Sequence, residues 1–337
     1  MRPGWVSRWL DAFSPSDHEF ICCRGDDGGL RGVFPAIVSG NGLKSASNSE
    51  SPGAGMLVDG EDPAEAIARD VLDRGLHRLE LLYMTRGDPD TVGLQKAGTA
   101  LGYIMSGRTV ARSPYLSTAE GWDAFLVRRG TVPFREERRK HRMLERAGHL
   151  SFEVSDGSRD LDLLLNQALA IERSGWKGRA HTAIADDLQV LRFYRSIVRW
   201  ARERGWLRLI FLRLDGQAIA FDLVLQDQRV VYLLKTSYDE ALYRFSPGRV
   251  LRLLAIRAAC DGEVDRYEFL GTDDEYKRKW ADDYRERLLL RAFAGTTFGH
   301  LEHSAHENAW RVRHNYLGPL KRKIMTEPIV RKVLGRR

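Results

Sequence analysis

Three apolar stretches in quick succession, residues 207–214, 217–226 and 230–237, constrain this chain more than any other feature. Asp215-Gly216 separates the first pair, and Gln226-Asp227-Gln228-Arg229 turns the chain into the third. Asp-Gly suits a type I′ turn because both central residues take positive φ, and that turn joins neighbouring antiparallel strands. Short stretches closed by tight turns predict an antiparallel meander. Upstream, residues 151–154 read as a strand and 161–174 as a helix with Leu161, Leu164, Leu165, Ala168, Leu169 and Ile171 inward. Residues 186–204 repeat apolar side chains at helical spacing, and Gly205 closes that helix. Downstream come a helix over 246–262, a strand over 266–271, a helix over 273–281 and a last strand over 285–295. This order predicts an α/β (α+β) unit whose mixed, mostly antiparallel sheet is flanked by helices.

A chain of 337 residues has room for about two domains. In the first half, residues 20–23 and 30–38 flank Gly-Asp-Asp-Gly-Gly and read as a β-hairpin. Residues 39–56 are small, polar and Gly-rich, the composition of a mobile loop. A helix over 63–74, entered by Pro63 and ended by Gly75, leads to a strand over 77–83. The first 130 residues are thus a small mixed α/β unit. Residues 133–148 hold six Lys/Arg against three Glu and form a basic helix bridging the halves.

The net charge of +7 favours an anionic partner: a nucleotide-bearing cofactor, a tRNA or a membrane surface. No apolar run nears the roughly 18–20 residues needed to span a bilayer, and the N-terminus lacks the apolar core of a signal peptide. Three cysteines, two of them the neighbours Cys22 and Cys23, make no disulfide framework, so a reducing cytoplasmic setting is expected. There is no Cys/His spacing for zinc, no phosphate-binding P-loop, no dinucleotide-binding glycine pattern and no nucleophile elbow. Metal, hydride and serine-hydrolase chemistry therefore lack sequence support.

The chemistry-bearing residues lie between 172 and 280. Ser246 is an N-cap residue by type, Pro247 suits a first helical position, and Gly248 allows close approach to the backbone. Such a helix start points N–H groups and a positive dipole end at an anion, with Arg244 and Arg249 beside it. Lys235, near the end of an apolar strand, either reaches solvent or meets an anion. Glu268, between Tyr267 and Phe269, either meets a cation or works as a base. Tyr276 and Trp280 are four apart on a helix with Lys277 beside them, either packing or facing a substrate. Trp176 and Lys177, between Gly175 and Gly178, form a loop able to lie against a ligand.

Residues 152–290 resemble the acetyltransferase domain of CelD-like (cellulose-biosynthesis-protein-like) members of the Gcn5-related N-acetyltransferase (GNAT) superfamily. The segments that carry the resemblance are Glu-Arg-Ser-Gly-Trp-Lys-Gly (172–178), Phe-Leu-Arg-Leu-Asp-Gly-Gln-Ala-Ile-Ala-Phe (211–221), Tyr-Leu-Leu-Lys-Thr-Ser-Tyr-Asp-Glu (232–240), Ser-Pro-Gly (246–248), and Tyr-Glu-Phe-Leu-Gly with Tyr-Lys-Arg-Lys-Trp (267–280). The resemblance implies two GNAT-like lobes in tandem, as in related FemAB-type aminoacyltransferases: a degenerate first lobe over 1–132, the bridging helix over 133–150, a catalytic lobe with a splayed strand pair over 151–298, and a basic helical tail over 299–337.

It further implies transfer of an acyl group from acetyl-CoA or another acyl-CoA to a small-molecule amine, with no metal. The cofactor's diphosphate would meet Arg244, Ser246, Pro247, Gly248, Arg249 and Val250, where only Gly248 remains of the family's two glycines. Tyr276 would be the general acid, and Glu268 or Asp239 the base. Trp176, Lys177, Lys235, Tyr238, Lys277 and Trp280 would bind substrate. The alternative is aminoacyl transfer from a charged tRNA, and a further option is peripheral membrane contact through the basic tail 319–337.

Overall fold

The computed structural model describes residues 2–14, 16–51, 53–130 and 134–312. In chain order the first half runs α1 (Pro3–Phe13), β1 (His18–Arg24), β2 (Leu30–Val38), β3 (Gly42–Ser45), β4 (Leu57–Val58), α2 (Glu61–Asp73), β5 (Arg78–Thr85), α3 (Pro89–Ala100), β6 (Ile104–Ser117) and α4 (Trp122–Arg129). After it come α5 (Arg135–Glu145), β7 (Leu150–Ser155), α6 (Leu161–Ser174), α7 (Trp176–Arg179), α8 (Leu188–Glu203), β8 (Leu207–Leu214), β9 (Gln217–Asp227), β10 (Val230–Tyr238), α9 (Pro247–Asp261), β11 (Arg266–Glu268), α10 (Glu275–Arg278), β12 (Asp283–Phe293) and α11 (Thr297–Val312). The expected tail beyond Val312 lies outside the described residues.

Among the described residues, twelve strands make one sheet, ordered β1-β2-β3-β5-β12-β6-β11-β10-β9-β8-β7 with β4 on β2. The meander β8-β9-β10 is antiparallel as its turns require, and Asp215 and Gly216 take φ of 49° and 81°. Its faces are covered by α6 and α8 on one side and α9 on the other. Helix α8 buries Phe193, Tyr194, Ile197, Val198, Trp200 and Ala201; each large apolar side chain fully buried contributes about 1.5–3 kcal/mol. Asp187 caps that helix by accepting from the N–H groups of Gln189 and Val190.

The halves are stitched together. Strand β12, late in the chain, runs antiparallel between β5 and β6, two strands of the first half. Strand β6 in turn pairs with β11, placing Ser117 opposite Arg266 and Tyr115 opposite Glu268. Helix α1 crosses over as well: Trp5 meets Phe193 of α8 edge-on at 5.2 Å between ring centroids.

Several expectations need correction. Residues 39–56 are not a mobile loop: β3 pairs antiparallel with β2 and parallel with β5, and Ser51 is buried. The strand read over 266–271 stops at Glu268, because Leu270 and Gly271 turn into left-handed conformations (φ 52° and 59°). The helix read over 273–281 shrinks to α10. Helices α1, α3 and α4 and strand β6 have no counterpart in the sequence reading. No helix among the described residues is long and apolar enough to cross a membrane.

Candidate active site

The site begins where two parallel strands part. Strands β10 and β11 pair for three residues, ending with Tyr232 opposite Glu268. Beyond that point β10 continues to Tyr238 with a bulge between Leu233 and Lys235, while β11 turns away at Leu270. The strands therefore splay, and a cavity of about 960 Å³ opens between them. Residues 233–238 form one wall and residues 269–271 with Tyr276, Lys277 and Trp280 another; Gly248, Trp176 and Glu50 also face it.

At the start of α9, the residues expected to hold a diphosphate are partly spent within the protein. Ser246 sits in the left-handed region (φ 50°) and its side chain does not cap the helix. Its N–H donates to the Tyr243 carbonyl at 3.0 Å, and its carbonyl accepts from Arg249 N–H (3.0 Å) and Val250 N–H (3.2 Å). Pro247 has no N–H, so among the described residues the Gly248 amide is the one left without a protein partner in this turn. A Cβ on Gly248 would lie 3.0 Å from the Tyr238 ring, so the backbone here is closely covered. Arg249 and Lys279 line the cavity and both pair with Glu137 of α5, at 2.7 Å for Arg249. Burial alone would raise the Glu137 carboxyl, but hydrogen bonds from Lys279 and Arg249 outweigh it and hold it below its ordinary range. Its second oxygen, Oε2, is buried without a partner. Arg244 stands over the Phe245 ring at 4.5 Å and is not part of the cavity wall, and Val250 is fully buried in the core.

Of the three acid–base candidates, only Tyr276 faces the cavity. The residue is 43% exposed, and burial around its hydroxyl pushes that group up to about 12. Glu268 lies outside the cavity, with Oε1 held by Arg266 (2.8 Å) and Arg285 (2.9 Å). Asp239 caps the short 3₁₀ turn Glu240–Phe245 by accepting from Ala241 N–H. The geometry brings neither carboxylate to the site.

Behind Tyr276 lies a charge cluster absent from the sequence reading. Arg252 of α9 is buried against Asp222 of β9 at 2.7 Å, donates to the Tyr267 hydroxyl, and leaves its Nε unpartnered beside the cavity. Lys277 is also buried; burial lowers its ammonium against the pull of Asp274. It donates to the carbonyls of Leu270 (3.0 Å) and Thr272 (2.9 Å), fastening the loop that turns β11 away. These bonds scaffold the loop, and Lys277 lines the cavity wall as well. Trp280 stacks on Phe134 at 4.7 Å between centroids and forms part of the wall.

The remaining expected residues do meet here. Trp176 is exposed at the cavity, and its N–H donates to Glu240. Lys177 pairs with buried Glu172 at 2.8 Å and reaches the Thr236 carbonyl at 3.3 Å. Lys235 pairs at 2.8 Å with Glu50, which comes from the segment read as a loop and also accepts from the Tyr194 hydroxyl at 2.9 Å. Nothing in the local sequence around Glu50 signals this role. Its partners lie 144 and 185 residues away in the chain.

Comparison with known proteins agrees with this fold. Residues 134–278 match the family model described as acetyltransferase (GNAT) domain. A search of curated proteins finds no match. Among solved structures, the chain is similar to a lysylphosphatidylglycerol synthetase-type C-terminal domain (DUF2156) from Agrobacterium fabrum, with TM-score 0.56, 13% identity, and 91% of this chain and 96% of that one covered. It is also similar to L-PGS from Bacillus licheniformis (TM-score 0.56, 11% identity, 88% and 92% covered) and to FemX (TM-score 0.57, 12% identity, 88% and 93% covered). At such identities these likenesses speak to the fold alone.

Proposed function

We propose, from the premise that residues 134–278 form an acetyltransferase (GNAT) domain within a tandem of GNAT-like lobes, that this chain transfers an acyl group from an acyl-CoA to the amine of a small molecule. The observation behind this reading is the parting of β10 from β11 over a cavity of about 960 Å³. An extended pantetheine arm fits between separated strands because it can take up the hydrogen bonds that a missing neighbour strand leaves open.

The donor's diphosphate meets the free Gly248 amide and the side chains of Arg249 and Lys279. The thioester carbonyl lies along the unpaired edge of β10, next to the Lys235 ammonium, which faces the negative charge that develops on that oxygen. The amine attacks the carbonyl carbon, a C–N bond forms, and the C–S bond breaks. Tyr276 gives its proton to the departing sulfur and recovers one from the nitrogen of the adduct, leaving the neutral amide with its single N–H; an acceptor that arrives as an ammonium ion gives its extra proton to water in the open cavity before attack. The thioester is already activated, so positioning and proton transfer provide the acceleration.

Glu268 and Asp239 have no part in this scheme. The free thiols of Cys22, Cys23 and Cys260 suit a reducing, cytoplasmic setting. The direct test is release of free coenzyme A from acetyl-CoA in the presence of a panel of amino sugars, amino acids and polyamines. Amine-dependent release is expected; none with any acceptor counts against the reading. Gly248→Ala sets a methyl group against the Tyr238 ring. It should raise KM for acyl-CoA roughly tenfold, about 1.4 kcal/mol, with kcat nearly unchanged in steady-state kinetics.

One observation favours a second reading, aminoacyl transfer from a charged tRNA. Among the described residues the turn at 246–250 keeps only one amide free, and the adjacent helix α5 carries Arg135, Arg139 and Arg142 on its exposed side. Binding would then weaken steeply between about 50 and 200 mM salt as phosphate contacts are lost, and nuclease would abolish activity. Acyl-CoA-dependent turnover that survives nuclease rejects it.

A further inference from the structure

We propose that the first lobe completes the active site by supplying Glu50 as the residue that positions Lys235; this rests on the oxyanion-facing role of Lys235 given above. Three features point to it.

First, the segment carrying Glu50 is built, not merely tolerated. Trp5 Nε1 donates to Ser51 Oγ at 3.0 Å, and Trp9 Nε1 donates to Asn48 Oδ1 at 3.1 Å. Asn48 Oδ1 also accepts from Glu50 N–H at 3.0 Å, and the Asn48 carbonyl accepts from Ser51 N–H at 3.0 Å. Helix α1, which supplies both tryptophans, is itself packed on α8 of the second half through Trp5 and Phe193. The turn is thus clamped to the lobe it serves, and Glu50 is aimed across the boundary.

Second, Glu50 enters the cavity and meets a single ammonium. Its Oε2 lies 2.8 Å from Lys235 Nζ and 2.9 Å from the Tyr194 hydroxyl, and Lys235 Nζ stands 5.2 Å from the centre of the Tyr194 ring. Carboxylate, phenol hydroxyl and ring face together leave a flexible four-carbon stem one favoured direction.

Third, Lys235 follows the point where β10 loses its β11 neighbour and sits at the bulge. This is where a carbonyl lying along the open edge needs a fixed positive charge. The side chains of Lys235 and Glu50 are largely buried, and the two tryptophan bonds hold the loop without them. A preorganised cation gains directly from a carboxylate at position 50.

The test uses the full chain with acetyl-CoA and hydroxylamine, a small nucleophile that enters any amine site. Lys235→Met should lower kcat about 100-fold with little change in KM for acetyl-CoA. Glu50→Gln should lower kcat about tenfold, again without a matching rise in KM, and should keep the melting temperature within a few degrees of the parent. The deciding variant is the double mutant. If Glu50 acts through Lys235, adding Glu50→Gln to Lys235→Met costs less than about twofold more. An equal loss in both backgrounds, or an inert Glu50→Gln beside an impaired Lys235→Met, overturns the inference while the acyl-transfer reading stands. An unimpaired Lys235→Met likewise overturns the inference while acyl transfer stands; a parent chain that turns over no acetyl-CoA overturns both.

Discussion

Tyr276→Phe should lower kcat about 100-fold or more while leaving KM for the acyl donor within about twofold, the loss typical of a missing general acid. The phenylalanine ring keeps the packing against Lys277, whose ammonium stands 5.5 Å from the Tyr276 ring centre; only the proton donor goes. Burial raises the hydroxyl to about 12, with Arg252 pulling the other way. A group with a raised pKa stays protonated until the pH climbs through that value. As an acid it is fully armed across the neutral and mildly alkaline range, so kcat should show no alkaline fall from Tyr276 below roughly pH 11. Thioesters whose thiol leaves as a stable thiolate should recover most of the lost rate, because their departure needs no proton. Steady-state kinetics on acetyl-CoA and on an activated aryl thioester measures both effects. Unchanged kcat in Tyr276→Phe removes the residue from the mechanism.

The largest expected loss of stability comes from Asp222→Ala. Asp222 and Arg252 are both almost fully buried and lie 2.7 Å apart between β9 and α9. Taking away one partner leaves a buried guanidinium whose remaining hydrogen-bond partner among the described residues is the Tyr267 hydroxyl. Breaking a buried pair in this way costs about 3–5 kcal/mol, which thermal denaturation should register as a drop of roughly 5–15 °C. Replacing both partners by apolar residues of similar size, Asp222→Leu with Arg252→Met, should recover much of that loss, since no charge is then stranded. A single variant melting within about 2 °C of the parent would show that the pair is not a structural keystone. Arg252 also faces the cavity, so the double variant is expected to fold and yet transfer poorly.

What the sequence made legible is what short-range chemistry decides. The meander followed from apolar runs and an Asp-Gly turn, and the structure places its strands within a residue or so of the expected bounds. The helix over Leu161–Ser174 is read from apolar spacing alone. Strand β6 is hard to read because three serines, two arginines and Pro114 break up its apolar residues and it owes its order to β12, which arrives more than 150 residues later. Glu50 escaped for a related reason: the Gly/Ser-rich composition of residues 39–56 resembles a flexible loop, while the order comes from Trp5, Trp9 and Tyr194. Glu268 shows the converse. A carboxylate in a short buried strand called for either a cation or a catalytic task, and the structure supplies cations, Arg266 beside it and Arg285 from the crossing strand β12. The helix start at Ser246 was placed correctly, but its left-handed φ and inward-turned hydrogen bonds depend on backbone detail that residue types do not reveal.

Central to all of this is the docking of an acyl-CoA diphosphate beside Gly248, with the acyl arm between β10 and β11. Isothermal titration of the full chain with acetyl-CoA and with free coenzyme A tests it most directly. Saturable binding of one equivalent is expected in about the micromolar to sub-millimolar range, weakened about tenfold or more by Arg249→Ala combined with Lys279→Ala. No heat with either ligand at millimolar concentration, alongside tight and salt-sensitive binding of a charged tRNA, would contradict it.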